Sequence, residues 1–199
     1  MGFTVNPHDL LQCSATPVLP PAAPDWVHDA LEATPWVVVR RARARPGRIA
    51  VGVRGPTRSA RFPFQMSTED AIAVVTPEEL ARRRVAPDRP ALRALELIGP
   101  VLDEAGVAWG PTGSVGFELA THVRTVTADS DLDLIIRMPR PTQLAVADEA
   151  VRASAVRIDC QVETQLGAVA LAELTGGTTE VLLRTADGPR LIARTDVIA

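Results

Sequence analysis

Asp131 and Asp133 stand two residues apart in "SDLDLIIR" (130–137), inside a run that otherwise reads as a buried strand. Side chains two apart on a strand project to one face, so the carboxylates share a side while Leu132 and Leu134 turn to the core. Carboxylates about 7 Å apart along a strand repel one another, and a divalent cation removes that conflict. An edge strand showing two acids to water satisfies the same pattern without any cation. A third acid, Asp159, lies in the alternating segment "VRIDCQVET" (156–164), facing away from Ile158 and Cys160, which calls for a polar pocket to receive it. Taken alone, it reads as well as an ion-paired structural residue. Upstream, "WGPTGSVGFEL" (109–119) offers a short strand, a turn from Gly110 to Gly113, and Ser114 at the head of a helix. Backbone N–H groups at such a turn form an anion site, and Gly113 lets a phosphate approach the main chain. The same residues also suit an ordinary capped helix.

Much chemistry is excluded. The chain of 199 residues has no Lys, and all 21 basic residues are Arg. Arg-favouring codon usage explains that bias, but a P-loop and a Schiff-base mechanism both need a lysine. The turn does not match G-x-G-x-x-G in spacing, and Thr112 stands where a nucleophile elbow needs glycine. Cys13 and Cys160 are too few for a disulfide framework or a thiolate zinc site. His8, His28 and His122 lack metal-ligand spacing and are taken as structural, and Trp109 as core packing. No apolar run approaches the roughly 18 residues of a membrane span, and "MGFTVNPHDLLQC" lacks the pattern of a secretory signal, so no membrane association and a cytoplasmic location are expected.

The elements that must position these residues fall into two parts. "WVVVRRARA" (36–44) and "RIAVGVRG" (48–55) read as strands around a Pro46-Gly47 turn, with "RFPFQM" and "AIAVVT" as further short strands. "TPEELARRR" (76–84) starts a helix, and "VAPDRP" (85–90) marks a boundary. The expected organisation is a small β-rich, Arg-rich domain over 1–88 and a second domain over 89–199. In the second, "ALRALELIGPVLDEAG" has amphipathic helical spacing with a kink at Gly99-Pro100. "VAW" (107–109) is a short strand, "DLDLIIR" a strong one, "QLAVADEAVRA" a helix, and "EVLLRTADGPRLIAR" a hairpin. Strands alternating with helices predict an α/β or α+β sheet domain. Charge follows the division. Up to Arg89 there are 12 Arg against nine acids, and beyond it nine Arg against 15 acids. No acid falls between Ala33 and Thr68, a stretch holding Arg40, Arg41, Arg43, Arg45, Arg48, Arg54, Arg58 and Arg61.

A glycine-serine turn before a helix, D-x-D on one strand and a single acid on a later strand resemble the core of the DNA polymerase beta-like nucleotidyltransferases. That resemblance implies a mixed sheet with flanking helices, phosphate binding by Gly110, Gly113 and Ser114, and Asp131, Asp133 and Asp159 as catalytic ligands of Mg2+. The 16 residues between Ser114 and Asp131 exceed the usual gap. More closely, "WGPTGSVGFELAT", "SDLDLIIR", "RIDCQVET", "GAVALAEL" and "VLLRTADGPRL", with "PHDLL", "VGVRG" and "TPEEL", resemble the phosphoribosyl-dephospho-CoA transferases of bacterial malonate decarboxylase. One departure is "THV" (121–123), where more glycine is expected.

This second resemblance implies transfer of a triphosphoribosyl-dephospho-CoA group to a serine of the decarboxylase's acyl carrier protein subunit, with loss of pyrophosphate. Arg40, Arg41 and their neighbours then neutralise the triphosphate or receive the acidic carrier, unless they are only a solvated face. A nucleic-acid partner is not expected, given a net charge of −3 and 4% aromatic residues. Two other readings stand beside it: a different Mg-dependent nucleotidyltransferase, such as an adenylyltransferase, and a carrier-protein binding module without catalysis.

Overall fold

The computed structural model describes residues 4–57 and 60–197, so Arg58 lies outside the described residues. The chain forms two compact units, Met1–Thr76 and Pro77–Ala199. This division falls inside "TPEEL", between Thr76 and Pro77, rather than inside "VAPDRP".

The first unit is a five-stranded antiparallel sheet. Its strands are β1 (Leu10–Cys13), β2 (Trp36–Val39), β3 (Arg48–Arg54), β4 (Arg61–Ser67) and β5 (Ala71–Val75), in the order β4-β3-β2-β1-β5. Helix α1 (Asp25–Ala33) buries Val27 and Leu31 against Leu11, Val37, Val51 and Met66. β2 is shorter than the Val-Arg run suggests: it stops at Val39, and the chain bends at Arg41 and Ala42. Gly47 closes the predicted turn with φ +73°, a conformation a Cβ disfavours. Arg40, Arg45 and Arg48 are exposed around it.

The second unit is an α+β layer. Its strands are β6 (Ala108–Pro111), β7 (Leu132–Arg137), β8 (Ile158–Glu163), β9 (Ala168–Ala170), β10 (Glu180–Thr185) and β11 (Gly188–Ala193). They form one mixed sheet in the order β11-β10-β9-β8-β7-β6, with β7 and β8 parallel and the other pairs antiparallel. Helix α2 (Pro77–Leu80) is a single turn, ending well before Arg84. α3 (Pro90–Glu104) runs through Pro100 as one helix. α4 is Gly113–Thr121, α5 Pro141–Arg152 and α6 Leu171–Thr175. β7 is the core strand, with Leu132, Leu134, Ile135 and Ile136 almost wholly buried.

Register separates the two faces of this sheet. Trp109 pairs with Ile136 and Gly110 with Ile135, so the two pairs face opposite ways. α3 packs on the Trp109 face, where a Cβ at Gly99 would come 3.3 Å from the indole. α2 packs on the other face, where a Cβ at Gly110 would fall 1.9 Å from the Pro77 carbonyl oxygen. Asp133 belongs, by alternation with Ile135, to the second face.

Candidate active site

Gly113 and Asp133 form the tightest contact in this region. Gly113 opens α4 with φ +59°, and a Cβ there would lie 1.8 Å from Asp133 Oδ2 and 3.0 Å from Asp133 Cβ. Only glycine meets both demands. The Thr112 amide also donates to the Asp133 carbonyl at 2.8 Å, fastening the turn to β7. The loop and the D-x-D strand therefore meet at a single carboxylate.

Parallel pairing sets the next acid. Asp133 is in register with Asp159 on β8, so the two carboxylates are neighbours on one face. Asp159 is exposed rather than received in the polar pocket its alternation suggested, and Asp133 is partly covered. Asp131 lies immediately before β7, with Oδ2 4.0 Å from Nη1 of the exposed Arg157. Among the described residues, no group of three or more His, Cys, Asp or Glu side chains is gathered closely enough to hold a metal ion by itself. Asp133 and Asp159 are thus paired by the sheet, while Asp131 lies just ahead of its strand.

The other predicted residues are placed unequally. Ser114 is buried at 7% exposure, and its carbonyl accepts from Thr125 Oγ1 at 2.9 Å. Gly110 lies beneath Pro77, where its missing side chain lets α2 sit on the sheet. Arg40 and Arg41 are in the first unit, Arg40 exposed and Arg41 half-buried. Trp109 is core: 3% exposed, with its indole N–H donating to Asp103 at 2.8 Å. Burial, and then the Asp159 charge, push the Cys160 thiol up to about 12, which removes it as a nucleophile.

A buried ion pair that the sequence reading missed holds this arrangement together. Glu118 on α4 is 5% exposed and pairs with Arg89, just ahead of α3. The same carboxylate accepts from the amides of Thr125 and Val126 at 2.8 and 2.9 Å, and Arg89 Nη1 donates to the Val126 carbonyl at 2.8 Å. The long connection from α4 to β7 is thereby folded back onto α4. Burial pushes the Glu118 carboxyl up, but hydrogen bonds from Arg89, Val126 and Thr125 outweigh it and hold it below its ordinary value. His122 ends α4 in the left-handed region at φ +62°, doing without glycine what the "THV" turn requires. The only sequence signal for the pair was an acid inside an otherwise apolar helix.

A family model described as the phosphoribosyl-dephospho-CoA transferase MdcG C-terminal domain matches residues 79–195, and its N-terminal counterpart matches residues 6–77. The chain belongs to this transferase family. It is similar to a phosphoribosyl-dephospho-CoA transferase of Pseudomonas putida (strain W619), 45% identical over 191 residues and covering 94% of this chain and 93% of the relative. A second relative with the same name, from Pseudomonas syringae pv. tomato, is 43% identical over 197 residues, covering 96% of this chain and 93% of its own. A third, from Azotobacter vinelandii, is 41% identical over 205 residues, covering 94% and 92%. No solved structure matches the chain. As a family member the chain is a transferase, and the Gly113–Asp133–Asp159 junction lies within the span of the C-terminal model. Among the described residues, no helix is long and apolar enough to cross a membrane.

Proposed function

We propose that the chain transfers a 2'-(5''-triphosphoribosyl)-3'-dephospho-CoA group to a serine of the acyl carrier protein subunit of malonate decarboxylase, releasing pyrophosphate. Family membership supports the class of reaction. The observation that carries the site is the Asp133 carboxylate lying against Gly113, in register with Asp159. A turn that brings main-chain amides to a carboxylate pair suits a polyphosphate neutralised by a cation. It is the arrangement expected of a DNA polymerase beta-like nucleotidyltransferase core.

Mg2+ is the cofactor this reading requires, and the donor set suits it: hard carboxylate oxygens, few in number, which leaves coordination positions for phosphate oxygens. Asp133 and Asp159, in register on adjacent strands, would hold it, and Asp131 would have to move toward them to join. When bound, Mg2+ supplies polarisation of the phosphoryl group and neutralises charge on the leaving pyrophosphate. The chain's own residues do the positioning. The first-turn amides of α4, which have no intrahelical acceptor, bind the terminal phosphates beside Gly113 and Ser114. The carrier's serine oxygen bonds to the α-phosphorus as the bridge to the β-phosphate breaks, and pyrophosphate leaves with the bonding pair. Asp159, the most exposed of the three acids, takes the serine proton. The exposed arginines near Arg40 receive the acidic carrier by charge complementarity.

Offering the carrier subunit either the CoA-derived donor or ATP, with Mg2+, tests this reading. The expected outcome is label from the CoA-derived donor alone. Label from ATP alone would assign the chain to adenylyl transfer, and carrier binding without label to a clamping module.

A further inference from the structure

Arg184, on β10, has a buried Nη1 with no hydrogen-bond partner among the described residues. A buried donor of a charged group left unpaired is costly, and such groups in folded proteins normally find a partner. The residue as a whole is only partly buried, so Nη1 is shielded while the side chain keeps some access from solvent. Its backbone is closely held: Gly167, at φ +147°, approaches so near that a Cβ would lie 2.5 Å from the Arg184 carbonyl oxygen.

Register shows which way this side chain faces. Arg184 pairs with Ala168, Ala168 with Glu163, and Glu163 with Arg137, so these four residues form one row across β10, β9, β8 and β7. Residues directly opposite one another share a face, and Glu163 shares the face of Asp159, four residues earlier on β8. Arg184 therefore projects from the same side of the sheet as Asp133 and Asp159. At about 3.3 Å per residue and about 4.8 Å per strand, its Cα lies about 16 Å from that of Asp159. Glu163, the nearest acid in the row, lies directly across from Arg137.

We propose that Arg184 forms a second anion subsite, binding a phosphate group of the donor other than the one that reacts. The inference rests on the proposed function, whose donor carries two separate phosphate groups: the triphosphate and the diphosphate of the dephospho-CoA moiety. The carboxylates and the Gly113 turn take the first. Arg184, on the same face, takes the diphosphate, which the donor's two linked riboses separate from the triphosphate, and bidentate geometry suits guanidinium to phosphate.

Binding of two probes by the full chain tests it: 3'-dephospho-CoA, which has only the diphosphate, and inorganic tripolyphosphate with Mg2+. Arg184→Gln is expected to weaken dephospho-CoA binding by about tenfold or more, with Arg184→Lys intermediate and tripolyphosphate binding kept. In transfer assays the larger share of the loss falls on the donor KM. The apo Tm of Arg184→Gln is expected to stay level or rise, because an unpaired buried charge is removed. Unchanged dephospho-CoA binding in Arg184→Gln, or a Tm loss of several degrees showing a structural arginine, would overturn the subsite. If the wild-type chain transfers no CoA-derived group at all, the proposed function fails instead, which this comparison keeps separate.

Discussion

At Gly113 two constraints coincide, a left-handed backbone and a carboxylate oxygen where a Cβ would be. Gly113→Ala is expected to cost about 1–2 kcal/mol from the backbone alone and to displace Asp133 as well. A displacement of about 1 Å at a reacting centre costs about a hundredfold in rate. Denaturant midpoints and transfer rates measured together should therefore show a modest stability loss and a large activity loss. Asp133→Asn tests the carboxylate without disturbing the turn. It should keep the fold and lower transfer by more than the roughly 10–100-fold that supporting residues of metal sites carry. Asp131→Asn is expected to act in the same direction. Normal turnover in either variant would remove that acid from the site.

At the scale of elements, the Arg89–Glu118 pair ties α3, α4 and the connection to β7 together. Breaking a buried pair by removing one charge is expected to cost about 3 kcal/mol, so Glu118→Gln should lower the denaturant midpoint clearly. The pH dependence has a definite sign. The folded-state pKa of Glu118 is depressed, so its contribution is fully present above the ordinary glutamate range. It is lost as pH falls through the lower folded-state value. Acid titration of stability should therefore be steeper for the wild type than for Glu118→Gln. β7 was legible in the sequence because alternation persists over "DLDL" and the strand is apolar beyond it. β1, β9 and α6, three to five residues long, were not, having neither the Val run that marks β2 nor the capping residues that mark α2. β2 ended early because the chain bends at Arg41. The candidate acids could be read from residue type and spacing, and their side of the strand from alternation. The packing of Gly113 under Asp133, and the pairing of Arg89 with Glu118 across 29 positions, are tertiary facts with no local signature.

Across the whole molecule, charge is divided between the two units. The first unit exposes Arg40, Arg45, Arg48 and Arg61, and the second contains the acids of the candidate site. An acidic carrier attracted to the first unit would be steered by long-range forces, which salt screens beyond about 10 Å at 0.1 M. Reversing Arg40 and Arg45 to Glu is expected to raise the carrier KM severalfold at low salt, an effect that shrinks as salt is added. A rise in donor KM instead would assign these arginines to phosphate. The apolar groove of about 850 Å3 lined by Leu97, Val101 and Val146 runs between α3 and α5. Its α3 wall packs on the sheet face opposite Asp133, so the groove is not the reaction site. The most direct test of the central claim is the intact mass of the malonate decarboxylase carrier subunit after incubation with the CoA-derived donor and Mg2+. The expected result is a mass increase of one donor group less pyrophosphate with the wild-type chain, and none with chelator or Asp133→Asn. An equal increase with Asp133→Asn, or in the presence of chelator, would contradict it.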